Sequence, residues 1–134
     1  MPFGRGLVGH SDGDVLSHAV IDAALGGAGL RDMGAHFPSS DVKLEGIDSR
    51  VLMDRTVTIL QKKRWRVTYV DATILAEQPT LSPFIDQIIQ SLATSLNMVA
   101  GSVNLKAKST DGLGFIGRGE GITAMSIATL EPAE

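Results

Sequence analysis

The run His10-Ser11-Asp12-Gly13-Asp14-Val15-Leu16-Ser17-His18 places two of the chain's three histidines and two carboxylates within nine residues. Ser11 followed three residues later by Asp14 has the form of a capping box, in which hydroxyl and carboxylate satisfy orphan backbone donors at a helix N-terminus. A helix starting there puts Asp14, His18 and Asp22 on one face, each within reach of the next. A histidine flanked by carboxylates at that spacing suits a metal ligand whose second ring nitrogen is oriented by a carboxylate. Taken singly, His10 reads as a helix-start histidine and His18 as a satisfied core histidine. Together with Ser11, Asp12, Asp14 and Asp22 they read as a site. His36 has no such company and reads as a structural loop histidine.

A second set lies near the C-terminus. Lys106-Ala107-Lys108-Ser109-Thr110-Asp111 closes a predicted strand with cations, hydroxyls, amide donors and one carboxylate. Backbone amides and hydroxyls can cradle phosphate oxygens, and Asp111 can ligate magnesium, which takes one or two carboxylates plus phosphate oxygens. A plain polar strand end fits the same residues equally well. Gly112-Leu113-Gly114-Phe115-Ile116-Gly117 matches the G-x-G-x-x-G string of dinucleotide-binding folds, but the chain left beyond it is too short for the βαβ unit that the string needs. The loop reads instead as a wide hairpin, rich in glycine because its residues need positive φ. Within it Arg118 reads as a fixed cation for phosphate, restrained by Glu120 in a fork-shaped pair.

The elements that must position these groups follow from periodicity. An extended start, Phe3 to Val8, leads into a helix carrying Val15, Ala19, Asp22 and Leu25, which stops at Gly26-Gly27. Gly29 to Asp41 is a loop of turn formers, acids and His36. A second helix starts at Asp48 or Ser49 and shows Leu52, Thr56, Ile59, Leu60 and Lys63 on successive turns. Trp65 to Leu75 is a strand of β-branched and aromatic residues. The proline-broken segment Ala76 to Pro83 leads into a helix striped with Ile85, Ile88, Ile89, Leu92, Ala93 and Leu96. Val103 to Lys108 and Ile122 to Leu130 are the last strands. This order predicts an α+β sandwich, a mixed sheet with helices on one face.

Composition sets the outer limits. The 134 residues suit one domain over 1–134, and the net charge of −3 argues against broad nucleic-acid binding. The basic run Lys62-Lys63-Arg64 with Arg66 sits at a predicted helix end, where cations complement the dipole. With no cysteine, any transition metal must be held by His, Asp or Glu. No apolar stretch approaches a membrane span and the first residues lack a signal peptide's apolar core, so neither nucleic acid nor membrane is an expected partner.

Together these residues resemble the 2-C-methyl-D-erythritol 2,4-cyclodiphosphate synthase family of non-mevalonate isoprenoid biosynthesis. The resemblance covers nearly the whole chain and rests on four motifs in order. They are His10-Ser11-Asp12-Gly13-Asp14-Val15 with His18; Asp32-Met33-Gly34 followed by His36-Phe37-Pro38; Ala76-Glu77 with Pro79 and Pro83; and Gly114-Phe115-Ile116-Gly117-Arg118-Gly119-Glu120-Gly121. It implies a ferredoxin-like sandwich assembled as a homotrimer with interfacial active sites. The implied reaction is that of a lyase: the substrate's own phosphate attacks its β-phosphate and expels CMP from 4-diphosphocytidyl-2-C-methyl-D-erythritol 2-phosphate. Positioning and charge neutralisation carry most of such a displacement, and zinc with magnesium or manganese would share the diphosphate charge.

By matched position, the resemblance makes His18 the helical zinc ligand and Asp111 the magnesium carboxylate. His10 and Ser11 match contacts to methylerythritol phosphate, and His10 and Ser109 match groups credited with stabilising the transition state. Asp32 matches the grip on the erythritol hydroxyls, with Met33, Gly34 and Phe37 beside it. Ala76, Glu77, Gln78, Pro79, Thr80, Leu81 and Ser82, with Lys108, Ser109, Thr110 and Asp111, match cytidine and phosphate walls given by an adjoining subunit; Phe115 and Arg118 complete the substrate set. The family opens with a strand carrying Asp-x-His, two of its three protein zinc ligands. Only nine residues precede His10 here and they hold no such pair, so the zinc set is incomplete and the chain reads as N-terminally short. Thr80 stands where lysine is frequent, Ser39 where aspartate is usual, and Ser109 where threonine is usual, the last keeping its hydroxyl. A second expectation is a non-catalytic trimeric module binding cytidine nucleotide or an isoprenoid diphosphate, with Arg118 and Glu120 at the trimer axis. The implied location is the bacterial cytoplasm or a plastid-type organelle.

Overall fold

A computed structural model describes residues 11–38, 40–41, 48–77, 81–119 and 121–133, with 11–13 described by their helical backbone alone. Five helices and three strands are labelled in chain order: α1 Ser11–Gly27, α2 Met33–His36, α3 Ser49–Lys62, β1 Trp65–Leu75, α4 Ile85–Ser95, β2 Val103–Lys108, α5 Gly114–Gly117 and β3 Thr123–Pro132. The expected start at Phe3 to Val8 lies outside the described residues.

β1 is the central strand of a sheet ordered β2-β1-β3. It pairs in parallel with β2, Val70 to Leu75 opposite Val103 to Lys108, and antiparallel with β3, Trp65 to Leu75 opposite Pro132 to Thr123. This sheet corrects the hairpin reading of the glycine-rich loop. β2 and β3 are not neighbours, so the loop crosses the end of β1 to join the two outer strands. A hairpin's strands must pair with each other. The expected demand for positive φ does hold at Gly112, Gly114 and Gly119.

Alternation along β1 sends Val70, Ala72 and Ile74 into the core beneath the helices, and a register shift between Val67 and Tyr69 brings Val67 to the same face. Val103 and Leu105 of β2 join them, as do Leu52, Met53 and Leu60 of α3 and Ile88, Leu92 and Ala93 of α4. Thr56, fully buried on α3, donates its hydroxyl to Leu52 O at 2.8 Å, so that its polar atom is not orphaned. On α1 the buried stripe is Leu16, Val20, Ile21, Ala24 and Leu25, whereas Asp22, placed with the expected stripe, is exposed. The helix is apolar enough that two stripes have helical spacing, and packing on the sheet selects the wider one. Gly27 ends α1 directly over the Leu130 side chain.

Among the described residues no helix covers the other sheet face. Tyr69, Met125 and Ile127 are 43%, 56% and 70% exposed there. Lys106 Nζ meets Asp71 Oδ2 at 2.7 Å, and Asn104 Nδ2 donates to Asp71 Oδ1 at 3.0 Å. The Lys106 ammonium, then Asn104, hold the Asp71 carboxyl below its ordinary range. At the far end Arg66 pairs with Glu131, while Lys62 and Lys63 occupy the last turn and cap of α3 as the basic run predicts.

Candidate active site

The parallel register of β1 and β2 and the antiparallel register of β3 bring three strand ends to one end of the sheet, at Leu75, Lys108 and Thr123. The ladder continues one step past β1, where Ala76 N donates to Lys108 O at 3.0 Å. Glu77, the next residue, turns both carboxylate oxygens into the loop after β2. Ser109 Oγ donates to Glu77 Oε2 at 2.5 Å and Gly112 N donates to Glu77 Oε1 at 2.7 Å. Ser109 Oγ also accepts from Asp111 N at 2.8 Å, and Thr110 Oγ1 donates to Leu113 O at 2.7 Å. The chain turns through φ of +56° at Asp111 and +81° at Gly112 before α5 begins. An aspartate tolerates that region better than most side chains, and glycine tolerates it freely.

The turn folds back tightly on itself. A Cβ built on Gly117 would lie 2.6 Å from the Gly112 carbonyl oxygen and 2.7 Å from Gly112 Cα. Gly117 is therefore glycine because backbone passes against it. The motif gives no sign of this, because spacing alone does not report which two glycines touch.

The Ser109 hydroxyl, followed by the Gly112 amide, holds the Glu77 carboxyl below its ordinary range. A group whose folded pKa is depressed adds stability above its unfolded value, near 4.3 for glutamate, which is lost as pH falls through the folded value. The Gly112 amide proton shift is thus expected to titrate in NMR spectra with a midpoint below that of an ordinary glutamate. A midpoint at or above about 4.3 contradicts the bond.

A second group of expected residues sits around the end of α1 and the α2 turn instead. Asp22 Oδ1 accepts from Met33 N at 2.7 Å and Asp32 Oδ1 from Ala35 N at 3.0 Å, so two aspartates cap the single turn α2. This turn lies within the stretch expected to be loop. His36 Nε2 meets Leu30 O at 2.7 Å, the structural role expected of it, and its ring stands 6.4 Å from that of Phe37. Asp32 and Gly34 are exposed, Met33 and Phe37 half-buried. Asp22 thus serves the turn, a role its helical spacing to His18 does not reveal.

Of the remaining expected residues, His10, Gln78, Pro79 and Thr80 lie outside the described residues, as do the Ser11 side chain and Glu120, so the capping box and the Arg118–Glu120 pair fall outside them too. Ser11 is already helical, the first residue of α1 among those described. Leu81 is 4% exposed and part of the core, whereas Ser82 is exposed. Lys108, Ser109, Asp111, Phe115 and Arg118 are exposed and Thr110 is half-buried. Lys106 is committed to Asp71 on the open sheet face.

For metals the two expected sites differ. Among the described residues no three His, Cys, Asp or Glu side chains converge, so exposed His18 alone does not fit a catalytic zinc. Asp111 does fit magnesium, as an exposed carboxylate on a turn beside two hydroxyls.

A model of the YgbB family matches residues 1–131. The chain belongs to the YgbB family. One relative, 2-C-methyl-D-erythritol 2,4-cyclodiphosphate synthase of Pseudomonas putida (strain W619), is 50% identical over 133 residues, covering 99% of this chain and 85% of its own. The synthase of the same name from Thiobacillus denitrificans is 47% identical, covering 98% of this chain and 82% of its own. Among solved structures, the bifunctional IspDF of Campylobacter jejuni superposes with a TM-score of 0.86 at 35% identity, over 92% of this chain and 33% of that one. This chain therefore spans about a third of that bifunctional protein. The CDP complex of Plasmodium falciparum IspF gives a TM-score of 0.79 at 29% identity, over 93% of this chain and 75% of that one. These YgbB-family relatives support a cyclodiphosphate synthase over a non-catalytic module, on the mixed α+β fold seen here. Among the described residues no helix is long and apolar enough to cross a membrane.

Proposed function

We propose that the chain converts 4-diphosphocytidyl-2-C-methyl-D-erythritol 2-phosphate to 2-C-methyl-D-erythritol 2,4-cyclodiphosphate and CMP. An oxygen of the 2-phosphate forms a bond to the β-phosphorus, the bond from that phosphorus to the bridging oxygen breaks, and CMP leaves with the electron pair. No water or redox partner enters. The observation that carries this reading is the joined turn of Glu77, Ser109, Thr110, Asp111 and Gly112, which collects two hydroxyls and two carboxylates at one end of the sheet. In such a displacement the protein's part is to hold attacking and leaving oxygens in line and to offset developing charge.

The backbone and hydroxyls of 109–112 bind the phosphates, and Lys108 and Arg118 add positive charge. Ser109 and His10 are assigned to stabilising the reacting phosphorus, and His10 with Ser11 to binding the methylerythritol phosphate. Asp32, Met33, Gly34 and Phe37 hold the erythritol, while Ala76 to Ser82 and Phe115 form the wall for cytidine. Asp111 holds magnesium or manganese, which when bound offsets diphosphate charge. No step is assigned to zinc, for which the described residues supply His18 alone. The site is closed between copies of a homotrimer, in a bacterial cytoplasm or plastid-type organelle. The open sheet face with Tyr69, Met125 and Ile127 is the surface for that association. The test is CMP release by the 134-residue chain, given the substrate with zinc and magnesium. CMP formed in equal amount to the cyclic diphosphate is expected. Nucleotide binding without CMP supports the non-catalytic module.

A further inference from the structure

We infer that Glu77 is a positioning residue that sets the proton of the Ser109 hydroxyl and fixes the Gly112 turn against β1. The inference deepens the cyclase reading and rests on it for the identity of the ligand. A serine hydroxyl has one proton and two lone pairs. Here the proton goes to Glu77 Oε2 at 2.5 Å and one lone pair takes the Asp111 amide at 2.8 Å, which leaves one lone pair. Phosphate oxygens are acceptors, so a phosphate can engage Ser109 only by drawing that proton away from Glu77. The carboxylate thus holds the hydroxyl in one orientation until a stronger acceptor arrives.

Its other oxygen works on the backbone. Gly112 N donates to Glu77 Oε1 at 2.7 Å, and bonds to a charged acceptor are about twice as strong as neutral ones. Glu77 is itself one residue beyond the rung from Ala76 N to Lys108 O, so its backbone is part of the sheet edge. The bonds from Thr110 to Leu113 and from Asp111 to Ser109 give the turn its shape. The two Glu77 bonds give it a position relative to β1. A turn displaced by about 1 Å misplaces both a hydroxyl and a metal-holding carboxylate, an error that can cost about a hundredfold in rate.

The variants separate these effects. Glu77→Ala removes both acceptors. Glu77→Asp keeps the charge but is one methylene too short to reach both partners. Glu77→Gln can still accept from Gly112 N through its carbonyl oxygen, and its amide can donate to Ser109 Oγ, which releases the hydroxyl proton toward the ligand. Amide exchange of the full chain is measured with and without CDP, alongside CDP titration and steady-state CMP release. In Glu77→Ala and Glu77→Asp, Gly112 exchange is expected to speed up by about tenfold or more, while Val70 and Ile74 in β1 keep wild-type protection. KM is expected to rise about tenfold, with a comparable fall in kcat, and Glu77→Gln should recover most of the protection and of the KM. Gly112 exchange that is alike in all four proteins overturns the tether, whatever the activities. Faster Gly112 exchange with unchanged CDP affinity and unchanged KM overturns the positioning role. Absence of CMP release from the wild-type chain overturns the cyclase reading instead, and exchange with CDP titration then decides the tether by themselves.

Discussion

Gly117→Ala is expected to lower CMP release by about a hundredfold while leaving the sheet intact. The methyl group would enter the space held by the Gly112 backbone, with its Cβ 2.6 Å from the Gly112 carbonyl oxygen. Backbone cannot rotate aside as a side-chain end can, so α5 and the turn at Asp111 and Gly112 must separate. Overpacking of this kind costs about 1–3 kcal/mol. Because Gly112 N is bound to Glu77 and Gly112 follows Asp111 directly, the displacement passes to Ser109 and Asp111 together. The contrast is Gly27→Ala, whose new methyl would meet the tip of the Leu130 side chain, a group that can turn away. That variant should lose a smaller share of stability and little activity. Thermal unfolding with CMP release on both variants checks this. A Gly117→Ala protein with wild-type activity removes the close packing of Gly117 from any account of the site.

Much of this arrangement is legible before any coordinates are considered, and the reason differs by element. β1 and β2 fall at their expected bounds because a β-branched and aromatic run, closed by proline-rich or glycine-rich sequence, has few other ways to bury its side chains. α4 follows from the spacing of Ile88, Leu92 and Ala93, all of which are buried. The turn α2 escapes a periodicity argument because it is four residues long and buries none of them; its stability comes from Asp22 on a different helix and from Asp32 as cap. The crossing of the glycine-rich loop over β1 is equally invisible, since pairing between β1 and β3 joins residues as far apart as Trp65 and Pro132. Ser109, Thr110 and Asp111 stand out by type and spacing. The part played by Glu77 does not, because its two partners lie 32 and 35 residues away and nothing local in Ala76-Glu77 points to them.

Asp111→Asn is the substitution that separates charge from shape at this site, and a fall of about a hundredfold in CMP release is expected at fixed magnesium. Asp111 sits at φ +56°, where most side chains are strained by about 1–2 kcal/mol and asparagine is among the best tolerated. Alanine at this position would disturb the turn as well as remove the carboxylate, and its effect would have two causes. Asparagine keeps the backbone amide that donates to Ser109 Oγ at 2.8 Å and keeps a side-chain oxygen, but it removes the negative charge that attracts a divalent cation. The unfolding temperature and the exchange of Gly112 should therefore match wild type, while the magnesium concentration for half-maximal CMP release rises about a hundredfold. Manganese binding followed by paramagnetic broadening of the Thr110 and Gly112 amide signals gives a readout independent of turnover: strong in wild type with CDP, weak in the variant. If both proteins need the same magnesium concentration, the divalent cation is held elsewhere, and Asp111 is left with the role its backbone already performs, as the residue that starts the turn.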